Sequence, residues 1–138
     1  MDEPMNEAEG PMPNAAAPAA PPDAEILDRE MLLHRVGGDL ELLSEIIDLF
    51  FEEAPRLVAE IRAALAQNDS PTALRSAHRL RGAAGDLSAL RIAALAAQLE
   101  SRGRQGQWGD APVFCPALDS EIARLRPLLG TLVRKKAA

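Results

Sequence analysis

His78 is the residue of this chain best suited to covalent chemistry. It lies in residues 77–90, AHRLRGAAGDLSAL, within a helical pattern, with Arg81 one turn on and Gly82 and Gly85 beside it. An imidazole in water titrates near about pH 6.5, so close to neutrality much of it is uncharged and nucleophilic. A phosphoryl group on a ring nitrogen carries negative charge that nearby guanidinium groups can hold through charge-assisted hydrogen bonds. Between Pro71 and Arg91 stand four arginines and one aspartate, a basic patch in an otherwise acidic chain. No acid–base dyad is visible beside His78. A partner would therefore supply the metal ion and the acceptor carboxylate.

The helix that must position this histidine has two distinct faces. Ala73, Ala77, Leu80, Ala84 and Leu87 recur at helical spacing and form a core stripe. His78 lies about 100° around from Ala77. Its one-turn neighbours are Leu74, Arg75, Arg81 and Gly82. Each glycine inside a helix costs about 0.5–1 kcal/mol relative to alanine, so Gly82 and Gly85 need a reason. One reading is tight helix packing, or a helix that ends at Gly85. The other is that Gly82 removes a side chain that would crowd His78 and so admits a partner. Arg75, Arg79 and Gly85, with Leu74 as an apolar contact, are the candidate docking residues around it.

The remaining elements also read as helices, with no convincing strand alternation. A short first helix begins at Asp28 as N-cap, with Leu27 able to staple onto Leu32, and Gly37 and Gly38 end it. Asp39 caps a long second helix whose stripe is Leu40, Leu43, Ile47, Phe50, Ala54, Leu57, Ile61 and Leu65. Leu42, Ile46, Leu49 and Val58 widen that stripe. Pro55 interrupts the ladder, so one bent helix is preferred over two. Asn68 and Asp69 make a turn, and Ser70 as a capping hydroxyl followed by Pro71 at the first helical position signals the start of the third helix. Ile92, Leu95, Ala96 and Leu99 line a fourth. Residues 101–116 read as a loop, and a last helix after Pro116 turns Leu118, Ile122, Leu125, Leu129 and Leu132 inward. Pro127 is a candidate kink. The expected fold is all-α: an up-and-down antiparallel four-helix bundle with a short additional N-terminal helix as a lid.

Composition divides the chain of 138 residues. Residues 1–23 hold six of the eleven prolines, five acids and no lysine or arginine, which predicts a disordered acidic tail or linker. Residues 24–138 form the helical domain and are close to neutral, out of a net charge of −6 for the whole chain. Charge therefore argues neither for nor against nucleic acid, and the few aromatics (Phe50, Phe51, Trp108 and Phe114) argue against base stacking. No apolar run reaches membrane-spanning length and no secretory signal is visible. Cys115 stands alone, which excludes an internal disulfide. The expectation is a cytoplasmic protein that binds neither nucleic acid nor membrane.

Other residues read as structural. His34 sits near the end of the first helix, where a cation is ordinary. A metal site from His34, His78 and Cys115 has no supporting spacing, and no metal site is expected. Glu45, Asp48, Glu52, Glu53 and Glu60 read as the solvated face of the second helix. Trp108 reads as a cap on one end of the bundle. Arg102 and Arg104 either extend the docking surface or serve the helix C-terminus.

Ala77, His78, Leu80 and Gly82, with Leu99–Glu100 closing the next helix at a matching distance, resemble the histidine-containing phosphotransfer (HPt) domain of bacterial phosphorelays. Upstream, GGDLELLSEIIDLFFEEAP is similar to that family's long second helix, and the resemblance spans about residues 25–133. It implies that His78 takes a phosphoryl group from a receiver-domain aspartate, or a kinase, and passes it to another receiver. Arg81 stands where the family usually has lysine and keeps the charge. Glu100 falls where the family often places a polar residue near the ring, which implies that it orients His78. Ser88 replaces the usual glycine of a Gly-Ala pair, while Ala89 matches. The implied partners are response-regulator receiver domains and a sensor or hybrid histidine kinase. The protein itself would be a non-enzymatic monomer with no cofactor, Mg2+ being needed only in the partner receiver. Two alternatives stand beside this one: a helical adaptor that binds receivers without being phosphorylated, and the phosphoacceptor module of a larger hybrid sensor kinase. No nucleotide-binding loop is present to support a self-sufficient enzyme.

Overall fold

The computed structural model describes residues 26–137, and of Ala137 only its backbone. The acidic segment of residues 1–23 lies outside the described residues. Five helices follow in order: α1 (Arg29–Arg35), α2 (Leu40–Ala66), α3 (Ser70–Asp86), α4 (Leu90–Arg104) and α5 (Ala111–Ala137). No strand occurs among the described residues.

Helix starts follow the capping chemistry of the sequence. The Asp28 carboxylate accepts from the Met31 amide at 3.0 Å, and that of Asp39 accepts from the Leu42 amide at 3.0 Å. Gly37 and Gly38 take positive φ (62° and 77°) and turn the chain from α1 into α2. The start of α3 differs by one residue from the sequence expectation. Asp69, not Ser70, is the cap, accepting from the Thr72 amide at 3.2 Å, and Ser70 is the first helical residue. A carboxylate is the stronger acceptor for an orphan amide at the positive end of the helix dipole.

Helices α2 to α5 form the bundle. Arg79–Glu53 and Ser76–Glu60 fix an antiparallel register of α3 on α2, Arg62–Asp119 and Arg126 over Phe51 that of α5 on α2, and Arg91–Glu121 with Arg102 over Phe114 that of α5 on α4. The inner stripe of α3, Ala73, Ala77, Leu80 and Ala84, is fully buried, as are Leu43, Leu57, Ile61, Leu95, Leu99, Leu118 and Leu125. The alanines let α3 lie close to α2 and α4. Helix α1 contributes Leu32 to the same core.

Three expectations are corrected. Leu42 and Leu49 do not widen the buried stripe of α2; they are 40% and 65% exposed, whereas Val58 is buried and Ile46 is half-buried against the core. Glu53 and Glu60 are not simply solvated, since they tie α2 to α3 through Arg79 and Ser76. Residues 101–116 are not one long loop. Helix α4 runs to Arg104 and α5 starts at Ala111, so only residues 105–110 connect them. Glycine and proline are tolerated here for local reasons. A Cβ on Gly103 would lie 2.3 Å from the Trp108 ring, so glycine makes room for the indole. Pro112 falls in the first turn of α5, where a missing N–H costs nothing. Pro55, Pro116 and Pro127 lie on exposed sides of helices that continue past them.

Candidate functional site

Helix α3 presents His78 on the outer wall of the bundle, one residue on from the fully buried Ala77. The imidazole is 58% exposed. What holds it comes from the neighbouring helix. Glu100, in the last turns of α4, is 4% exposed, and its Oε2 lies 2.8 Å from His78 Nδ1. The same carboxylate binds Arg81 Nε at 2.8 Å through Oε1 and Arg104 Nη2 at 2.5 Å through Oε2. One buried carboxylate thus gathers an imidazole and two guanidinium groups on the α3–α4 seam. Burial pushes the Glu100 carboxyl towards a higher pKa. The hydrogen bonds from Arg104 and His78, with the charge of Arg81, outweigh that and hold it below the usual 4.5.

The contacts at Nδ1 fix where the ring carries its proton. Arg81 Nη2 also lies 3.1 Å from Nδ1. A guanidinium can only donate and a carboxylate can only accept, so Nδ1 cannot satisfy both. The shorter contact, to an ionised acceptor, is the stronger one. Nδ1–H therefore donates to Glu100, and Arg81 is held through its own Nε–H bond to the same carboxylate. In a neutral ring this leaves the lone pair on Nε2. The sequence showed no dyad beside His78. The structure supplies a histidine–carboxylate pair from residues 22 apart.

The other candidates fall into two groups. Leu74, Arg75, Glu100 and Arg104 border, with His78 and Pro71, a shallow depression of about 310 Å3 beside the ring. Leu74 is half-buried there, and Arg75 is exposed with Nη2 donating to Thr72 Oγ1 at 3.2 Å. Arg79 points the other way, towards α2, where it binds Glu53 Oε2 at 3.0 Å. Gly82 is exposed and Gly85 half-buried, and a Cβ at either would meet nothing within 4 Å. Neither glycine is there to let helices pack, and α3 continues past both to Asp86. Arg104 joins the site directly through Glu100, a role the sequence had left open between docking and helix charge. Among the described residues, no group of three or more His, Cys, Asp or Glu could hold a metal ion.

The turn that follows α3 departs from an easy backbone. Ser88 has φ 58°, a left-handed conformation more natural to glycine, and its buried hydroxyl has no hydrogen-bond partner. Its carbonyl accepts from the Asp28 amide at 2.9 Å, fastening the entry to α1 onto the α3–α4 corner. At the opposite end Trp108 Nε1 donates to Ser70 Oγ at 2.8 Å, pinning the α4–α5 connection to the start of α3. No helix among the described residues is long and apolar enough to cross a membrane.

The family model for the Hpt domain matches residues 45–127, more than half of the chain and inclusive of His78 and Glu100. No curated protein and no solved structure matches the chain.

Proposed function

Since the chain belongs to the Hpt domain family, whose members carry phosphoryl groups on histidine in phosphorelays and are not themselves enzymes, we propose that His78 is its phosphoacceptor and that receiver domains are its direct partners. The observation that carries this reading is an exposed imidazole whose Nδ1 is held at 2.8 Å by the buried Glu100 carboxylate.

The proposed step needs no proton transfer at the reacting atom. The Nε2 lone pair attacks phosphorus of an aspartyl phosphate in the receiver. The N–P bond forms as the P–O bond to the aspartate breaks, and the carboxylate leaves with the electron pair. The ring becomes a cationic phosphoimidazolium that keeps its proton on Nδ1. Glu100 faces that developing positive charge through an existing hydrogen bond, so little has to reorganise during the reaction. Passing the group to a second aspartate is the reverse sequence. Mg2+ belongs to the receiver's acidic pocket in this scheme. Arg81 and Arg104 steady Glu100 and add positive charge beside the incoming phosphoryl group, and Arg75 extends that charge along α3. Gly82 and Gly85 leave the surface beside the ring bare for the receiver. The protein serves as a soluble cytoplasmic intermediate between a sensor or hybrid kinase and a response regulator.

The test is incubation with a phosphorylated receiver domain. An acid-labile, base-stable label should appear on the wild-type protein and be absent from His78→Gln. Label retained in that variant, or receiver binding without any labelling of the wild type, would overturn the assignment; the latter result would fit an unphosphorylated adaptor.

A further inference from the structure

We infer that the cavity between the end of α2, the start of α5 and Trp108 is a binding site for a small, uncharged aromatic molecule with a ring N–H to donate. This site lies outside the depression beside His78 and does not depend on the phosphoacceptor reading.

The cavity has a volume of about 700 Å3, more than twice that of the depression of about 310 Å3 at His78. Pockets that hold small molecules span about 300–1,000 Å3. Side-chain size explains why it is there. Arg62 pairs with Asp119, and in that antiparallel register Ala66 comes level with Cys115. Ala66, Ala111 and Cys115 border the seam. Helices elsewhere in the bundle meet through larger side chains, and short ones on both sides leave a slot that close packing would otherwise fill.

The lining selects against ions. The charge of Arg62 is already met by Asp119 at 2.8 Å. Cys115 is buried, and that burial pushes its thiol up, so it stays protonated and neutral. Leu65, Pro112 and Pro116 add apolar surface. Trp108 supplies a flat wall that is held in advance. Its Nε1–H donates to Ser70 Oγ at 2.8 Å, and its ring lies over Gly103, where only glycine leaves room for it. A preset indole favours an aromatic ligand, because stacking on it orders nothing further in the protein.

The N–H requirement comes from the backbone of α5. Pro116 has no amide hydrogen, so the Pro112 carbonyl one turn back lacks its helical partner. Both prolines border the cavity and both are exposed, which puts that acceptor at its edge. A ring N–H lying against Trp108 satisfies it; an anion there would face a carbonyl dipole of the wrong sign.

The test uses the full chain and three probes of similar shape: indole, benzofuran (the N–H replaced by an ether oxygen) and indole-3-acetate (a negative charge added). In nitrogen-15 spectra indole should shift the signal of the one tryptophan, Trp108, and the amides of Ala66, Asn68 and Cys115. The shifts should saturate with a Kd of about 1 mM or below, an ordinary strength for a fragment of this size. Benzofuran should bind about fivefold more weakly, the ratio that one neutral hydrogen bond contributes. Indole-3-acetate should also bind more weakly than indole. Ala66→Leu fills the slot from an exposed position and should abolish indole binding while leaving the signals of α4 unchanged. Pro116→Ala returns an N–H to the Pro112 carbonyl, so the preference for indole over benzofuran should vanish. Shifts that do not saturate, equal binding of indole and benzofuran by the wild type, tighter binding of indole-3-acetate, or undiminished indole binding in Ala66→Leu would each overturn the inference. Labelling of His78 plays no part in this readout, so its failure would strike the phosphoacceptor reading alone.

Discussion

Glu100→Gln isolates what a buried charge does for His78. The side chain keeps its length and shape, the negative charge disappears, and one acceptor oxygen becomes an NH2 donor. The two carboxylate oxygens now serve Arg81, His78 and Arg104 at 2.8, 2.8 and 2.5 Å. An amide has one carbonyl for these three donors, and its NH2 must abut one of them. A hydrogen bond to a charged group contributes about 1.5–3 kcal/mol net, against about 1 kcal/mol for a neutral one. The bond from Nδ1 should therefore weaken by about 1–2 kcal/mol, and most when the ring becomes cationic during transfer. At 1.36 kcal/mol per tenfold, the rate of labelling by a phosphorylated receiver should fall roughly tenfold. Rapid-mixing phosphotransfer measures the rate, and nitrogen-15 spectra of the imidazole report which ring nitrogen holds the proton. In the wild type the proton should reside on Nδ1, with the preference weakened in the variant. A wild-type ring protonated on Nε2, or a variant that transfers within twofold of the wild type, would refute the reasoning.

The same variant has a pH signature: because the folded-state pKa of Glu100 lies below its ordinary 4.5, the carboxylate's stabilisation is present above that value and lost as pH falls through the folded one. The denaturation midpoints of wild type and Glu100→Gln should thus converge in acid below about pH 4.5. Ser88→Gly relieves a left-handed φ of 58° and removes a buried hydroxyl without a partner, offset by glycine's greater chain entropy; stability should rise by about 1 kcal/mol, seen as a higher melting temperature. Gly82→Ala meets open space in this chain, so it should stabilise by about 0.5–1 kcal/mol while slowing transfer if the bare surface serves the receiver; faster transfer would contradict that role. Gly103→Ala drives a methyl to 2.3 Å from the Trp108 ring and should cost about 2 kcal/mol, with a shift in tryptophan fluorescence as the indole leaves Ser70.

Much of this architecture was legible because helices are specified locally. The apolar repeat of α2, the alanine stripe of α3 and the caps at Asp28 and Asp39 depend on spacing within a few turns, and all appear in the fold. The errors arose where a residue's meaning depends on a distant neighbour. Residues 101–116 read as a loop because the need for Gly103 is invisible until Trp108 folds back onto it. Leu42 and Leu49 read as core because periodicity marks a face but cannot say how wide a face the neighbouring helices cover. Glu53 read as solvated because its partner Arg79 is 26 residues away.

The site divides in the same way. The exposure of His78 beside a buried alanine stripe follows from helical geometry, which any reading of residues 73–87 contains. Its proton position does not. That is set by a carboxylate on another helix, buried and clasped by Arg81 and Arg104, and only the packing of α3 against α4 brings these groups within hydrogen-bonding distance. Sequence determines which side chains a helix turns outward, because rise and rotation per residue are fixed. Tertiary structure decides which charges meet there, because that depends on the register between helices.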